Sequence, residues 1–364
     1  MADNEQYYSV AMDMRVKIFS SRTPTFTGRV VPTFKGLINP TFKELLKQAL
    51  RGLLLLALVT LFCFILLDAS PIDPISYFNG GNRFSITPEQ SHRLLNEFGL
   101  NDTVFERLMT WGSNVAQGQL GFSYSMQQPV IEVLRTRLPL TLNLLFIAWV
   151  GTLVFGYVLG TVSALWEKSW PDKAITFYAW VTSAIPSFWL AIVILFLFAV
   201  ELNVAPVCCA APLGVSPQEL NWLERLPYLA LPVSSLILAG MSQIIMHTRE
   251  KVLDAINSDH YLYAKLHGES QWRLFRFHIF KNSLGPALII HFANISELIG
   301  GSVLIESVFN YPGLGRTLVT AGLSGDASLL IILAILSATL IYIGNITANI
   351  LNQHLLPEGA NNAK

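Results

Sequence analysis

"DAINSDHYLYAKLHGESQWRLFRFHIFKN", residues 254–282, is a basic, aromatic, histidine-bearing stretch with a glycine near its middle, and long apolar runs flank it on both sides. Ser258 or Asp259 can cap a short helix through Tyr261, Leu262, Ala264 and Leu266, and Gly268 is placed to end it. Ser270 can cap a second helix running toward Asn282, with Pro286 marking entry into the next apolar run. The expected element is therefore a helix, a glycine stop and another helix at a membrane surface. One use for it is to rest on lipid headgroups, which Trp272, Phe275, Phe277 and the arginines would suit. The other is to dock as a compact knob in the groove of a soluble partner and pass on that partner's motion as a rigid body.

The flanking runs decide what the chain is. Of its 364 residues 52% are hydrophobic and 13% charged, with a mean hydropathy of +0.48, too apolar for a soluble core. Uninterrupted apolar length gives spans at about 48–68, 138–164, 174–200, 226–247, 284–309 and 328–352, each long enough for a hydrocarbon layer that needs about 20 helical residues. The expected fold is an all-α integral membrane protein of six transmembrane helices, with the transmembrane domain over 45–357. The polar stretch before the first span is too long for a signal-peptide head, so that span reads as a retained helix. A formal net charge of zero gives no field for nucleic acid. Cys63, Cys208 and Cys209 provide neither a disulfide framework nor zinc spacing.

Charge sets the expected orientation. Arg15, Lys17, Arg22, Arg29, Lys35, Lys43, Lys47 and Arg51 precede the first span, and Arg249, Lys251, Lys265, Arg273, Arg276 and Lys281 lie in the connection at 247–283. Together they are more than half of the Lys and Arg residues, whereas the connections 201–225 and 310–327 carry only Arg225 and Arg316. The positive-inside rule then makes both termini and the 254–283 element cytoplasmic and the 69–137 loop external. In that loop Thr87, Pro88 and Gln90 suit a helix start and Gly99 a stop, followed by a second amphipathic segment with Phe105, Leu108, Met109 and Trp111. A small cap packed on the helices fits this length better than a separate ligand-binding module. Residues 1–44 read as an irregular cytoplasmic extension and 358–364 as a cytoplasmic tail.

Within the spans, Gly151, Gly156 and Gly160, and Gly300 with Gly301, suit close helix packing. Pro186 removes an amide and predicts a kink or a water-lined break, and Pro232 predicts a second. Polar groups at this depth are costly and usually face the bundle interior or an aqueous path. His291, Asn294 and Glu297 are accordingly candidate path residues with Pro186, or else buried interhelical hydrogen-bonding groups; Asn345, Asn349 and Asn352 are expected to tie helices together. His291 and Glu297 are also types that would suit a metal or a peptide terminus. No GxxxxGK[ST], HExxH or GxSxG pattern is present, so the chain has no recognisable means of hydrolysing ATP.

Several phrases resemble, in order, those of the DppB/OppB-type branch of bacterial ABC importer permeases: "ASPIDPISYF", "FGLNDTVFERLMTWGSNVAQGQLGFSYS", "PVIEVLRTRLPLTLNL", "IPSFWLAI", "TREKVLDAINSD", "FHIFKNSLGPAL" and "GSVLIESVFNYPGLGRTLVTA". The last is the most specific, because Glu306, the Tyr311-Pro312-Gly313 turn and the Gly315-Arg316 pair fall together outside a span. The resemblance implies a type I importer permease, a non-enzymatic inner-membrane subunit for peptides or a related solute. It would pair with a second permease, sit on two ATPase subunits that carry ATP and Mg, and receive solute from a periplasmic or lipid-anchored binding protein. The chain itself would bind no cofactor or metal. Residues 254–283 would be the coupling loop, with Asp259, Ala264, Lys265, Gly268 and Arg273 as contacts. Of the E-A-A-x-x-x-G consensus of that loop only Ala264 and Gly268 remain; Leu262 stands at the acidic or basic position and Tyr263 at a small one, which would require a wider ATPase groove. A secondary transporter or channel would need no such knob, a scaffold or receptor would not explain the kinked, polar spans, and a membrane enzyme would need a convergent catalytic set.

Overall fold

The computed structural model describes residues 42–70, 102–212 and 214–355. The capped helix expected over 87–99, most of the N-terminal extension and the tail lie outside the described residues. By its packing the chain divides into two compact units, Met1–Leu45 and Leu46–Lys364.

The described elements are helical except for one two-stranded hairpin. In chain order they are α1 (Phe42–Ala69), α2 (Val104–Ala116), β1 (Phe122–Ser123), β2 (Gln128–Pro129), α3 (Val130–Leu165), α4 (Trp170–Ala184) and α5 (Ser187–Glu201, π-helical from Phe196). After these come α6 (Trp222–Ile256), α7 (Asp259–Leu266), α8 (Gln271–Ala293, π-helical over Leu274–Phe280), α9 (Ile295–Val308), α10 (Leu314–Ser324) and α11 (Ala327–Leu355). Among the described residues four helices are long and apolar enough to cross a membrane, and α4–α5 and α8–α9 raise the number to six if each bent pair is one span.

The bent pairs refine the sequence reading. The region expected as one span over 174–200 turns through 109° between α4 and α5. Ile185 is extended (φ −94°, ψ 129°), as the residue before a proline prefers, so the Pro186 kink is a full break. The region expected as a helix over 284–309 bends by 52° at Asn294. Its first half begins at Gln271 and passes through Pro286 without a boundary, contrary to the sequence reading. Asn282 Nδ2 and Ser283 Oγ donate to the carbonyls of His278 and Ile279 at 2.7 and 2.9 Å, satisfying backbone in the turn before the proline. Pro232 likewise makes no break: it is buried within the continuous helix α6.

The longest packing seam joins α3 to α6. A side chain on Gly156 would come 2.8 Å from Ile244 Cβ, and one on Gly160 2.6 Å from the Ile245 carbonyl oxygen, so both glycines are fixed by close approach. Gly300 differs from that expectation, because among the described residues nothing lies within 4 Å of where its Cβ would be. The amides of Asn345, Asn349 and Asn352 also depart from theirs. They are exposed on α11 and make no hydrogen bond to other described residues, because that face points away from the chain's own bundle. Cys208 and Cys209 are joined as a vicinal disulfide, a pairing the sequence reading did not include.

At the end of the bundle that carries the hairpin, α2 packs Trp111 and Val115 onto a core of Val130, Val133, Leu314, Leu329 and Leu333. Thr103 starts α2 with a reciprocal cap: its amide donates to Glu106 Oε2 at 2.9 Å, and its Oγ1 accepts from the Glu106 amide at 3.3 Å. These bonds hold the Glu106 carboxyl below its ordinary pKa. Asp326, at the start of α11, accepts from Ser123 Oγ at 2.6 Å, Ser125 Oγ at 2.8 Å and the Ser125 amide at 3.0 Å, which ties the hairpin to that helix. The described part of the 69–137 loop is thus packed on the helices.

Candidate functional site

Three groups of residues carry chemistry. The first is a carboxylate knot beside the hairpin. Glu306, near the end of α9, is completely buried. Its Oε1 accepts from Thr141 Oγ1 at 2.7 Å and its Oε2 from the Arg316 amide at 3.0 Å. Thr141 Oγ1 in turn accepts from the Leu314 amide at 2.7 Å. The acid therefore satisfies free amides at the N-terminus of α10, where a negative charge is also favoured by the helix dipole. The Tyr311-Pro312-Gly313 turn closes over it: the Tyr311 amide donates to the Glu306 carbonyl at 2.8 Å, and a side chain on Gly313 would overlap the carboxylate. A side chain on Gly315 would press on the Val303 backbone at 2.6 Å. The structure thus brings Glu306, Pro312, Gly313, Gly315 and Arg316 together, and adds Thr141 from α3, which sequence reasoning missed. Its signal was a hydroxyl inside an otherwise apolar run.

The second group is a cavity of about 490 Å³, whose lining includes Pro186, Gln243, His291, Asn294, Glu297 and Gly301. Both helix breaks reach it, which is where irregular backbone is tolerated at membrane depth. Asn294 Nδ2 donates to Gln243 Oε1 at 2.6 Å, and Gln243 Nε2 donates to Glu297 Oε2 at 3.0 Å. His291, only 4% exposed, stacks on Trp149 with ring centroids 4.6 Å apart. The four expected path residues are therefore together, and Gln243 joins them. Among the described residues no three groups converge as metal ligands.

The third group is the element at the opposite end, α7 with the start of α8. Ser258 caps α7, its Oγ accepting from the Tyr261 amide at 3.3 Å. Gly268 stops it with φ +82°, a left-handed conformation that glycine adopts without strain. Tyr261 and Ala264 are buried against Val252, Leu274 and Ile279, so Ala264 anchors the helix instead of presenting a surface. Asp259, Lys265, Gly268 and Arg273 are exposed. Beside them stand Leu262, Tyr263, Leu266 (84% exposed) and Trp272 (67%), an apolar face wide enough to receive a partner.

Behind this element lies an ion pair that sequence reasoning missed. Arg249 of α6 reaches Asp172 of α4 through two bonds, Nε to Oδ1 at 2.7 Å and Nη2 to Oδ2 at 2.9 Å. Ser163 Oγ and the Lys168 amide also donate to Asp172, at 2.5 and 2.8 Å. The α3–α4 turn is thereby pinned to the stem from which α7 emerges. The two residues are far apart in sequence, and each on its own reads only as a charge near a span end.

The chain is similar to known transport proteins. Residues 156–357 match the family described as binding-protein-dependent transport system inner membrane component, and residues 41–145 match the corresponding N-terminal family. The chain is 30% identical over 294 residues to the oligopeptide transport system permease protein AppB of Bacillus subtilis, covering 80% of this chain and 91% of that one. It is 27% identical over 308 residues to the di/tripeptide transport system permease protein DppB of Pseudomonas aeruginosa (80% and 91%). It is 29% identical over 279 residues to the metal-staphylopine import system permease protein CntB of Staphylococcus aureus (76% and 85%).

Proposed function

Because the chain belongs to the binding-protein-dependent transport inner membrane components, the permease subunits of ABC importers, we propose that it moves peptides or a related small solute by alternating access, driven by ATP and Mg on two partner ATPase subunits. The observation that carries this reading is the continuity of α7 with the spans. Only Asn257 and Ser258 separate it from α6, and the Gly268 turn leads directly into α8, which runs to the cavity. A push on the exposed face of α7 would therefore displace two long helices that line the cavity, which a loose loop could not do.

The remaining assignments follow the same logic. The basic residues before α1 and in 249–281 support cytoplasmic termini and a cytoplasmic α7, with Asp259, Lys265, Gly268 and Arg273 meeting the ATPase. Pro186, His291, Asn294 and Glu297 would line the translocation path. Exposed amides on α11 favour a protein neighbour over lipid, which supports a second permease. A periplasmic or lipid-anchored binding protein would approach the hairpin end, where Glu306, Pro312, Gly313, Gly315 and Arg316 hold α10 in place. Peptides are the favoured solute because AppB and DppB are named as permeases of oligopeptide and di/tripeptide transport systems.

Reconstitution with a second permease, ATPase subunits and a binding protein should give uptake that depends on ATP. Solute movement by the purified chain alone without ATP would overturn the subunit reading.

A further inference from the structure

We propose that Glu297, Gln243 and Asn294 form a subsite for a primary ammonium group, the charged amino end of the transported solute. The proposal rests on the reading of the cavity as the path and adds to it the chemistry that the path selects. Among the described lining residues Glu297 is the one carboxylate, and Lys and Arg are absent. Among the described residues no cation lies within ion-pair distance of it. Acidic groups at membrane depth usually face an aqueous path, and Glu297 is exposed in this chain, open to a cation that arrives from outside it.

The geometry is prepared for one. The Asn294-to-Gln243-to-Glu297 relay uses Oε2 and fixes the carboxylate, while Oε1 accepts no hydrogen bond from the described residues. A primary ammonium has three donors and no acceptor, which matches a free carboxylate oxygen. Elsewhere in the lining, Thr152 Oγ1 and His291 Nε2 are buried with no hydrogen-bond partner among the described residues. A volume of about 490 Å³ is within the ordinary range of small-ligand pockets.

The test uses the assembled transporter with its second permease and ATPases in detergent. Gly300→Cys places a thiol on the cavity wall, where among the described residues nothing lies within 4 Å of the added Cβ. Its labelling by a water-soluble maleimide is followed over the background from Cys63. Trialanine should slow labelling, and N-acetyltrialanine, which lacks the ammonium, should protect about tenfold more weakly, the loss expected for a charge-assisted bond. Adding Glu297→Gln should leave labelling intact and abolish the difference between the two peptides. Equal protection by both in the parent, or a preference for trialanine that survives Glu297→Gln, overturns the proposal. Loss of the second permease on purification of Glu297→Gln would mean that the carboxylate meets a cation of that subunit, and overturns it too. A thiol that never labels would sink the path reading itself, and this inference with it.

Discussion

The Glu306 carboxylate occupies the space that any side chain on Gly313 would need. The acid cannot retreat, because it is completely buried and held by Thr141 and the Arg316 amide. Gly313→Ala should therefore destabilise the protein by about 1–3 kcal/mol through overpacking. Gly112→Ala is the contrast: nothing lies within 4 Å of that position in α2, and removing a helical glycine should stabilise the helix by roughly 0.5–1 kcal/mol. Thermal unfolding in detergent should move in opposite directions for the two variants.

Thr141→Val keeps the shape of the side chain but removes both its donor to Glu306 and its acceptor for the Leu314 amide. Leaving buried polar groups unpaired should cost about 1–3 kcal/mol. Thr141→Ser, which retains the hydroxyl, should recover most of that loss in the same measurement.

Asp172 and Arg249 should show strong coupling in a double-mutant cycle. Either Asp172→Asn or Arg249→Gln alone leaves a largely buried charge without its partner, at a cost of about 3 kcal/mol, whereas the double variant should lose clearly less than the sum. If the pair also steadies the stem of α7, the single variants should hydrolyse ATP with less uptake per turnover.

Gly268 adopts φ +82°, so Gly268→Ala should cost about 1 kcal/mol locally. Gly268→Pro removes more. Proline cannot adopt that φ, and the amide that donates to the Lys265 carbonyl at 3.1 Å is lost. Membrane insertion should be normal while hydrolysis continues with little transport. Uptake equal to the parent would remove the docking role of this turn.

The cap at α2 supplies a pH dependence. The Glu106 carboxyl is held below its ordinary pKa of 4.5 by the Thr103 amide and hydroxyl. A group whose folded pKa is depressed contributes its stability above the unfolded value and loses it as pH falls through the folded one. The protection factors of amides in the first turn of α2, taken relative to intrinsic exchange at each pH, should therefore be constant above about pH 5 and decrease as the pH falls below 4.5. Glu106→Gln should flatten that response.

Some of this protein is legible in the amino-acid order because the cause is local. Apolar runs give the spans, since crossing hydrocarbon requires length and composition alone. Ser258 and Gly268 mark both ends of α7 because caps and left-handed turns depend on a few neighbouring atoms. The grouping of Glu306 with residues 311–316 is likewise a matter of one short connection. Pro186 announces a break, but its 109° angle depends on what α4 and α5 pack against. Pro232 and Pro286 carry the same local signal, yet remain inside continuous helices.

Tertiary structure alone decided the relationships between distant residues. Nothing in the order of residues pairs Asp172 with Arg249, brings Thr141 to Glu306, or places Gln243 between Asn294 and Glu297. It also decided which faces are left uncovered, leaving Gly300 open on the cavity wall and turning the α11 asparagines away from the chain's own bundle and Ala264 into it. The physical reason is range: capping, turn and span signals act through bonds and contacts a few residues apart, whereas a hydrogen bond between helices exists only after packing has fixed their rotation and register.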